Sequence, residues 1–155
     1  MTVLVLEDKR ALGPLRTECA FTFEVPGTPV SKARPRFTRY GSAYTPAATA
    51  AYERSVQQWA QLAMLNSKRK TTTAPVAVSI HLYFPIPESW SKKKKERAIL
   101  GEEYPSSVDI DNCAKALLDG CNGIVFADDS QVIDLHVTKA YGLEPKARVF
   151  VTEAA

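Results

Sequence analysis

The run Val76-Ala77-Val78-Ser79-Ile80-His81-Leu82-Tyr83-Phe84 constrains this chain more than any other segment. Val76, Val78, Ile80, Leu82 and Phe84 alternate with smaller or more polar residues. Side chains on a strand point to opposite faces in turn, so this pattern predicts a half-buried β-strand. Pro85 and Pro87 end it, because proline cannot donate to a sheet ladder. A strand with one apolar face needs a sheet beside it and a layer over it.

The stretch after Pro46 supplies that layer. Tyr52, Val56, Trp59 and Ala63 recur at helical spacing, while Arg54, Gln57, Gln58 and Gln61 fall off the stripe. Thr45 suits a helix cap, and Pro46 suits the first helical position, where a missing N–H costs nothing. The helix is expected to fade by Asn66. Cys19 to Val25, before Pro26-Gly27, reads as a further strand, as do Gln131 to Ala140 and Ala147 to Thr152. In the second of these, Ile133, Leu135 and Val137 share one face. Ser91 to Leu100 and Asp111 to Leu118 are helix-compatible, with Asp111 placed to cap and Gly120 to stop the second. The fold class is α+β: one mixed sheet of about four strands covered by helices. At 155 residues, a single domain is expected. It spans 19–155, with residues 1–18 as an N-terminal extension of no clear period.

No apolar run approaches the ~20 residues a membrane helix needs. The start is apolar first and charged second, the reverse of a secretory signal, so a cytoplasmic protein with no membrane partner is expected. Cys19, Cys113 and Cys121 have no metal-type spacing and read as reduced thiols. His81 and His136 are isolated on strands and read as surface or satisfied groups.

The net charge of +3 is modest, but its distribution is uneven. Between Ser107 and Asp134, six acids (Asp109, Asp111, Asp119, Asp128, Asp129 and Asp134) face one base, Lys115, so the rest of the chain is strongly basic. Residues 31–39 hold Lys32, Arg34, Arg36 and Arg39 and no acid. Two prolines within Thr28 to Arg39, Pro29 and Pro35, forbid a regular helix. Lys92, Lys93, Lys94 and Lys95 form a second basic stretch. A basic body around a compact acidic segment suits a protein that binds a polyanion and brings a cation to it.

Asp109 and Asp111 point to one side of an extended segment. Asp111, Lys115 and Asp119 share one face of a helix. A hairpin-like return at Gly123 would carry Asp128 and Asp129 back beside the first two acids. Oxygen-only ligands favour Mg²⁺, with Mn²⁺ as a substitute, and the lack of Cys/His spacing argues against zinc. Each residue also has a plainer use. Asp111 can cap its helix, Asp119 can pair with Lys115, and Asp128-Asp129 can form a turn. An EF-hand is excluded, since its ligand pattern is missing.

Taken together, Asp109-x-Asp111-Asn112 with Lys115, Leu118-Asp119, Asn122-Gly123 and Asp128-Asp129-Ser130-Gln131-Val132 resembles the RusA family of Holliday-junction resolvases. Gly27 to Arg36, Tyr44-Thr45-Pro46, Lys139 and Tyr141-Gly142 resemble the longer, phage- or prophage-type members. Ser107-Val108 replaces the Lys-Pro often found before the first acid. The resemblance covers roughly Phe21 to Val151. It implies a homodimer that nicks two opposing strands of branched DNA in recombination and repair, leaving 5′-phosphate and 3′-hydroxyl ends. It also implies metal dependence, with Asp109, Asp111 and Asp129 as principal acids and Lys115 as the functional lysine. Asp128 would be a further metal ligand, and Asp119 and Lys139 possible site residues. Lys32, Arg34, Arg36, Arg39 and Lys92–Lys95 are candidates for phosphate contacts. No small-molecule cofactor is expected. Two rivals remain: a non-catalytic DNA-binding module, and a less selective nuclease of branched DNA.

Overall fold

A computed structural model describes residues 21–33, 36–44 and 46–154. The N-terminal extension, Cys19, Arg34, the Thr45 cap and the side chain of Arg36 lie outside the described residues.

The elements run β1 (Phe21–Pro26), β2 (Arg36–Phe37), β3 (Ala43–Tyr44), α1 (Ala47–Ser67), β4 (Val76–Pro85), α2 (Lys92–Ile99), α3 (Ile110–Cys121), a short 3-10 turn (Asp129–Gln131), β5 (Val132–Gly142) and β6 (Lys146–Glu153). Four strands form one sheet in the order β1-β6-β4-β5. β6 is antiparallel to β1 and to β4, whereas β4 and β5 are parallel. The parallel pair needs a long crossover, and α2 and α3 lie in it. β2 and β3 form a separate two-stranded hairpin, which the reading of residues 31–39 did not foresee.

The core lies between the sheet and the pair α1 and α3. Val78, Ile80 and Leu82 of β4, Phe23 and Val25 of β1, and Val149 of β6 meet Val56 and Ala60 of α1 and Ala116 and Leu117 of α3. Four details differ from the sequence reading, each for a packing reason. β4 is buried on more than one face: Ala77 and Ser79 are as enclosed as their apolar neighbours, because these small side chains lie between larger ones on the flanking strands, Thr152 and Phe150 of β6 and Asp134 and His136 of β5. The buried stripe of α1 runs through Thr49, Tyr52, Val56, Ala60 and Met64, while Trp59 is 41% exposed. Gly120 does not stop α3 but lies inside it. A Cβ there would sit 2.5 Å from Val56 Cγ1, so glycine is what lets α3 approach α1. Finally, Gln131 belongs to the 3-10 turn rather than to β5. β5 is the sheet's edge, and its Ile133 and Leu135 are exposed.

Candidate nuclease site

The N-terminus of α3 and the 3-10 turn carry the acids. Asp109, not Asp111, occupies the cap position, with extended backbone and no side-chain cap bond. Its Oδ2 instead accepts a bond from Asn112 Nδ2 at 3.3 Å. Asp111 sits in the first turn. Both carboxylates are exposed. The unpaired N–H groups and the helix dipole favour negative charge at this end, which helps two acids share one turn. Among the described residues, neither acid has a salt bridge, and neither has Lys115, exposed one turn further along.

The loop that presents Asp109 is held from below. Lys139 Nζ on β5 donates to the Val108 carbonyl at 2.8 Å. The Asn112 carbonyl accepts from the Lys32 backbone N–H at 3.0 Å. Cys113, the next residue, is fully buried. Burial pushes its thiol pKa up, and the nearby charges of Asp109 and Asp111 push the same way, while a Ser31 hydrogen bond and the Lys139 charge oppose them. Burial alone pushes Cys121 up to about 12. These free thiols are therefore protonated packing groups, as expected from sequence.

Asp119, at the other end of α3, is handled differently. Its partner is Lys32, which also pairs with Glu53 of α1 at 3.0 Å. The plainer alternative for Asp119, a pair with Lys115, is not made; Lys32 takes that place. All three side chains are about a fifth exposed. Burial works to lower the Lys32 pKa, but the bonds and charges of Asp119 and Glu53 outweigh it, and the net shift is upward. Residues 31–33 thus form a strap. Ser31 Oγ lies 3.4 Å from Cys113 Sγ, and the Ala33 N–H donates to Thr49 Oγ1 on α1 at 3.2 Å.

After α3 the chain turns sharply. Gly123 has φ +76°, a left-handed conformation that glycine adopts at little cost. The returning loop is stitched to the segment before β4: Thr72 N–H donates to the Val125 carbonyl and Ala127 N–H to the Thr72 carbonyl, both at 3.1 Å. Phe126 is fully buried beneath it. Asp128 then caps the 3-10 turn, accepting from the Ser130 N–H, while Gln131 bonds back to the Asp128 N–H. The bonds from Ser130 hold the Asp128 carboxyl below the usual carboxylate value. Gln131 Nε2 also donates to the carbonyls of Thr72 and Ala74, a tie that the sequence reading missed. Its signal was present: Asp128 followed three residues later by Gln131 is a capping-box spacing.

The return therefore places Asp129 in a turn packed against α3. Carboxylate oxygens are the donor type a magnesium-class cation takes, so the set fits in kind. Among the described residues, however, no three His, Cys, Asp or Glu side chains are grouped closely enough to hold an ion.

The basic residues divide. Lys94 stacks 4.1 Å above the Trp90 ring, which meets Tyr141 edge-on, so α2 is fastened to β5 through an aromatic pair. Lys92 and Lys93 are exposed on the same helix, and Lys95 is half-buried. Arg39 is exposed on the β2–β3 hairpin. His81 Nδ1 lies 2.6 Å from Thr138 Oγ1, and His136 is exposed, so neither histidine joins the acids. No described helix is long and apolar enough to cross a membrane.

A one-sheet α+β scaffold with exposed acids at one helix N-terminus and separate basic surfaces is the build of a protein that handles a polyanion. The comparison with protein families makes this specific. Residues 26–152 match the family model described as "Endodeoxyribonuclease RusA", and the chain belongs to that family of endonucleases. It is also similar to a Bacillus subtilis (strain 168) protein named "Uncharacterized protein YqaN", at 37% identity over 139 residues. That match covers 86% of this chain and 96% of the other.

Proposed function

We propose that this chain is a metal-dependent endodeoxyribonuclease that resolves four-way DNA junctions by paired nicks. One observation carries the reading. Asp109 and Asp111 stand exposed at the start of α3 without a cationic partner among the described residues, while Asp119 on the same helix is matched by Lys32. Two exposed carboxylates on one helix turn, with no cation paired to either among the described residues, leave negative charge that a ligand of opposite sign can meet.

Asp109, Asp111 and Asp129, with Asp128 adjacent, are the residues that would hold Mg²⁺ or Mn²⁺, and since the described side chains are not grouped closely enough as they stand, they would have to draw together around the ion. When bound, such an ion supplies the Lewis acidity that activates water at neutral pH. The protein's own groups do the rest. Lys139 and Asn112 fix the backbone and side chain of the Asp109 loop. Lys115 presents an ammonium, one turn from Asp111, to the oxygens of an incoming phosphate. Arg39 and the α2 lysines offer contacts to the DNA backbone, which set orientation rather than sequence preference. A two-fold dimer would present two equivalent sites to two symmetric strands.

The test is a synthetic four-way junction and a linear duplex of the same arm sequence, each with and without Mg²⁺. Symmetric nicks in the junction, only with metal, are expected. A gel shift with no cleavage under any divalent cation would establish the binding-module reading instead. Equal cutting of junction and duplex would establish a less selective nuclease.

A further inference from the structure

The β2–β3 hairpin presents a combination that the cleavage reading leaves unused. Its strands pair Arg36 with Tyr44 and Phe37 with Ala43. The tip is closed by three bonds: Thr38 N–H to the Ser42 carbonyl at 2.7 Å, Gly41 N–H to the Thr38 carbonyl at 3.0 Å, and Ser42 N–H to Thr38 Oγ1 at 3.1 Å. Gly41 takes φ +82°, which only glycine adopts readily. On this pinned tip Phe37 is 73% exposed and Tyr40 is 91% exposed, with Arg39 exposed between them.

Two large rings held in water on a closed tip gain nothing for the fold. Hydrophobic burial would otherwise draw them in. Arg36-Phe37-Thr38-Arg39-Tyr40 interleaves guanidinium groups with rings. Guanidinium groups neutralise phosphates, and rings stack on the faces of bases that have left the duplex stack. The segment just before the hairpin is tied close to the acids, where the Lys32 N–H donates to the Asn112 carbonyl at 3.0 Å. The strap of residues 31–33 precedes it, tied to α3 and α1 through Lys32, Ser31 and Ala33, and α1 follows it. A tip closed by its own hydrogen bonds loses little freedom on binding.

We propose that this hairpin is a base-stacking finger: Tyr40 and Phe37 stack on bases left unpaired where DNA arms meet, and Arg39 neutralises the adjoining phosphate. The proposal rests on the branched-DNA reading above and locates shape selectivity in the hairpin. A continuous duplex offers no free base face, so the finger discriminates against it.

The experiment uses the full chain without divalent cation, so that cleavage is not needed. A four-way junction carrying 2-aminopurine at the branch point and a linear duplex are each titrated with wild type, Tyr40→Ala, Phe37→Ala and Tyr40→Trp. Binding of wild type is expected to change the 2-aminopurine emission. Tyr40→Ala should weaken junction binding by about tenfold, within the range of one stacked base. Duplex binding and the melting temperature should stay as in wild type, since the ring is exposed. Tyr40→Trp should restore both junction affinity and the emission change. Equal weakening on both DNAs, or unchanged junction affinity in both alanine variants, would overturn the finger. A wild type that perturbs the probe but never cuts with any metal removes the nuclease reading and leaves the finger standing. A wild type that cuts junctions while the probe stays silent does the opposite.

Discussion

The two ends of α3 treat the same residue type in opposite ways. At the C-terminal end, Asp119 is largely buried and matched by Lys32, and Gly120 lets the helix press onto Val56. At the N-terminal end, Asp109 and Asp111 are exposed, and no described cation pairs with them. A protein that only needed a stable helix would keep one well-placed acid at the start and compensate it. On the proposed reading, two acids without a described cation at one end, against two carboxylates sharing Lys32 at the other, separate a surface kept for a ligand from one built for packing.

The largest test of that contrast is Asp111→Asn. The substitution keeps shape and helix compatibility but removes one charge, so junction cleavage should fall by about 100-fold or more, with melting unchanged. Junction binding without metal should hold or tighten, as repulsion of phosphate falls. Single-turnover cleavage beside a thermal melt checks it, and wild-type rates would erase the functional half of the comparison.

Next is Gly120→Ala at the packed end. The added methyl meets Val56 at 2.5 Å, so overpacking should cost about 1–3 kcal/mol. Denaturant unfolding should show this loss, while cleavage per folded molecule stays the same.

Lys32→Met should cost less, about 1–2 kcal/mol, because it leaves Asp119 and Glu53 facing each other at a site still partly open to water. Its pH dependence has a defined sign. The folded-state pKa of Lys32 lies above its ordinary value of 10.5. The stabilisation is therefore fully present below that value and is lost as pH rises through the raised one. The gap between wild type and Lys32→Met should narrow in strong alkali; a constant gap up to the highest usable pH would show that the ion pairs contribute nothing.

The smallest effect belongs to Asp128. Its lowered pKa means that its contribution is present above the ordinary value of 3.8 and fades as pH falls through the depressed one. Asp128→Asn should therefore unfold slightly more easily than wild type above the ordinary carboxylate value, and the gap should close as pH falls through the depressed one. An NMR titration of the wild-type carboxyl checks the premise.

Much of this was legible in the chain, for identifiable reasons. The β4 alternation, the proline stops and the lysine helix after Ser91 are local signals, and they gave elements close to those observed. The four-strand mixed sheet followed from counting them. What pairs across distance was not legible. Nothing near Lys32 in sequence announces Asp119, 87 residues away, so a basic residue among arginines read as a phosphate contact rather than a strap. Gly120 read as a helix stop because its neighbour Val56 lies on another element. The hairpin at 36–44 was hidden because each strand is only two residues long. Its exposed Phe37 and Tyr40 were in plain view among the bases, and the alternation itself was the signal.

The position of β6 bears on how the molecule comes into being. Among the described strands, β6 lies between β1 and β4, and its backbone closes both ladders. Until β6 emerges from the ribosome, β1 and β4 have no shared partner, and the loop they must close spans most of the protein. β4 and β5 pair directly, but β1 joins the sheet under α3 only through β6. A chain cut short before β6 keeps the acids and the arginines but loses the strand that joins β1 to β4.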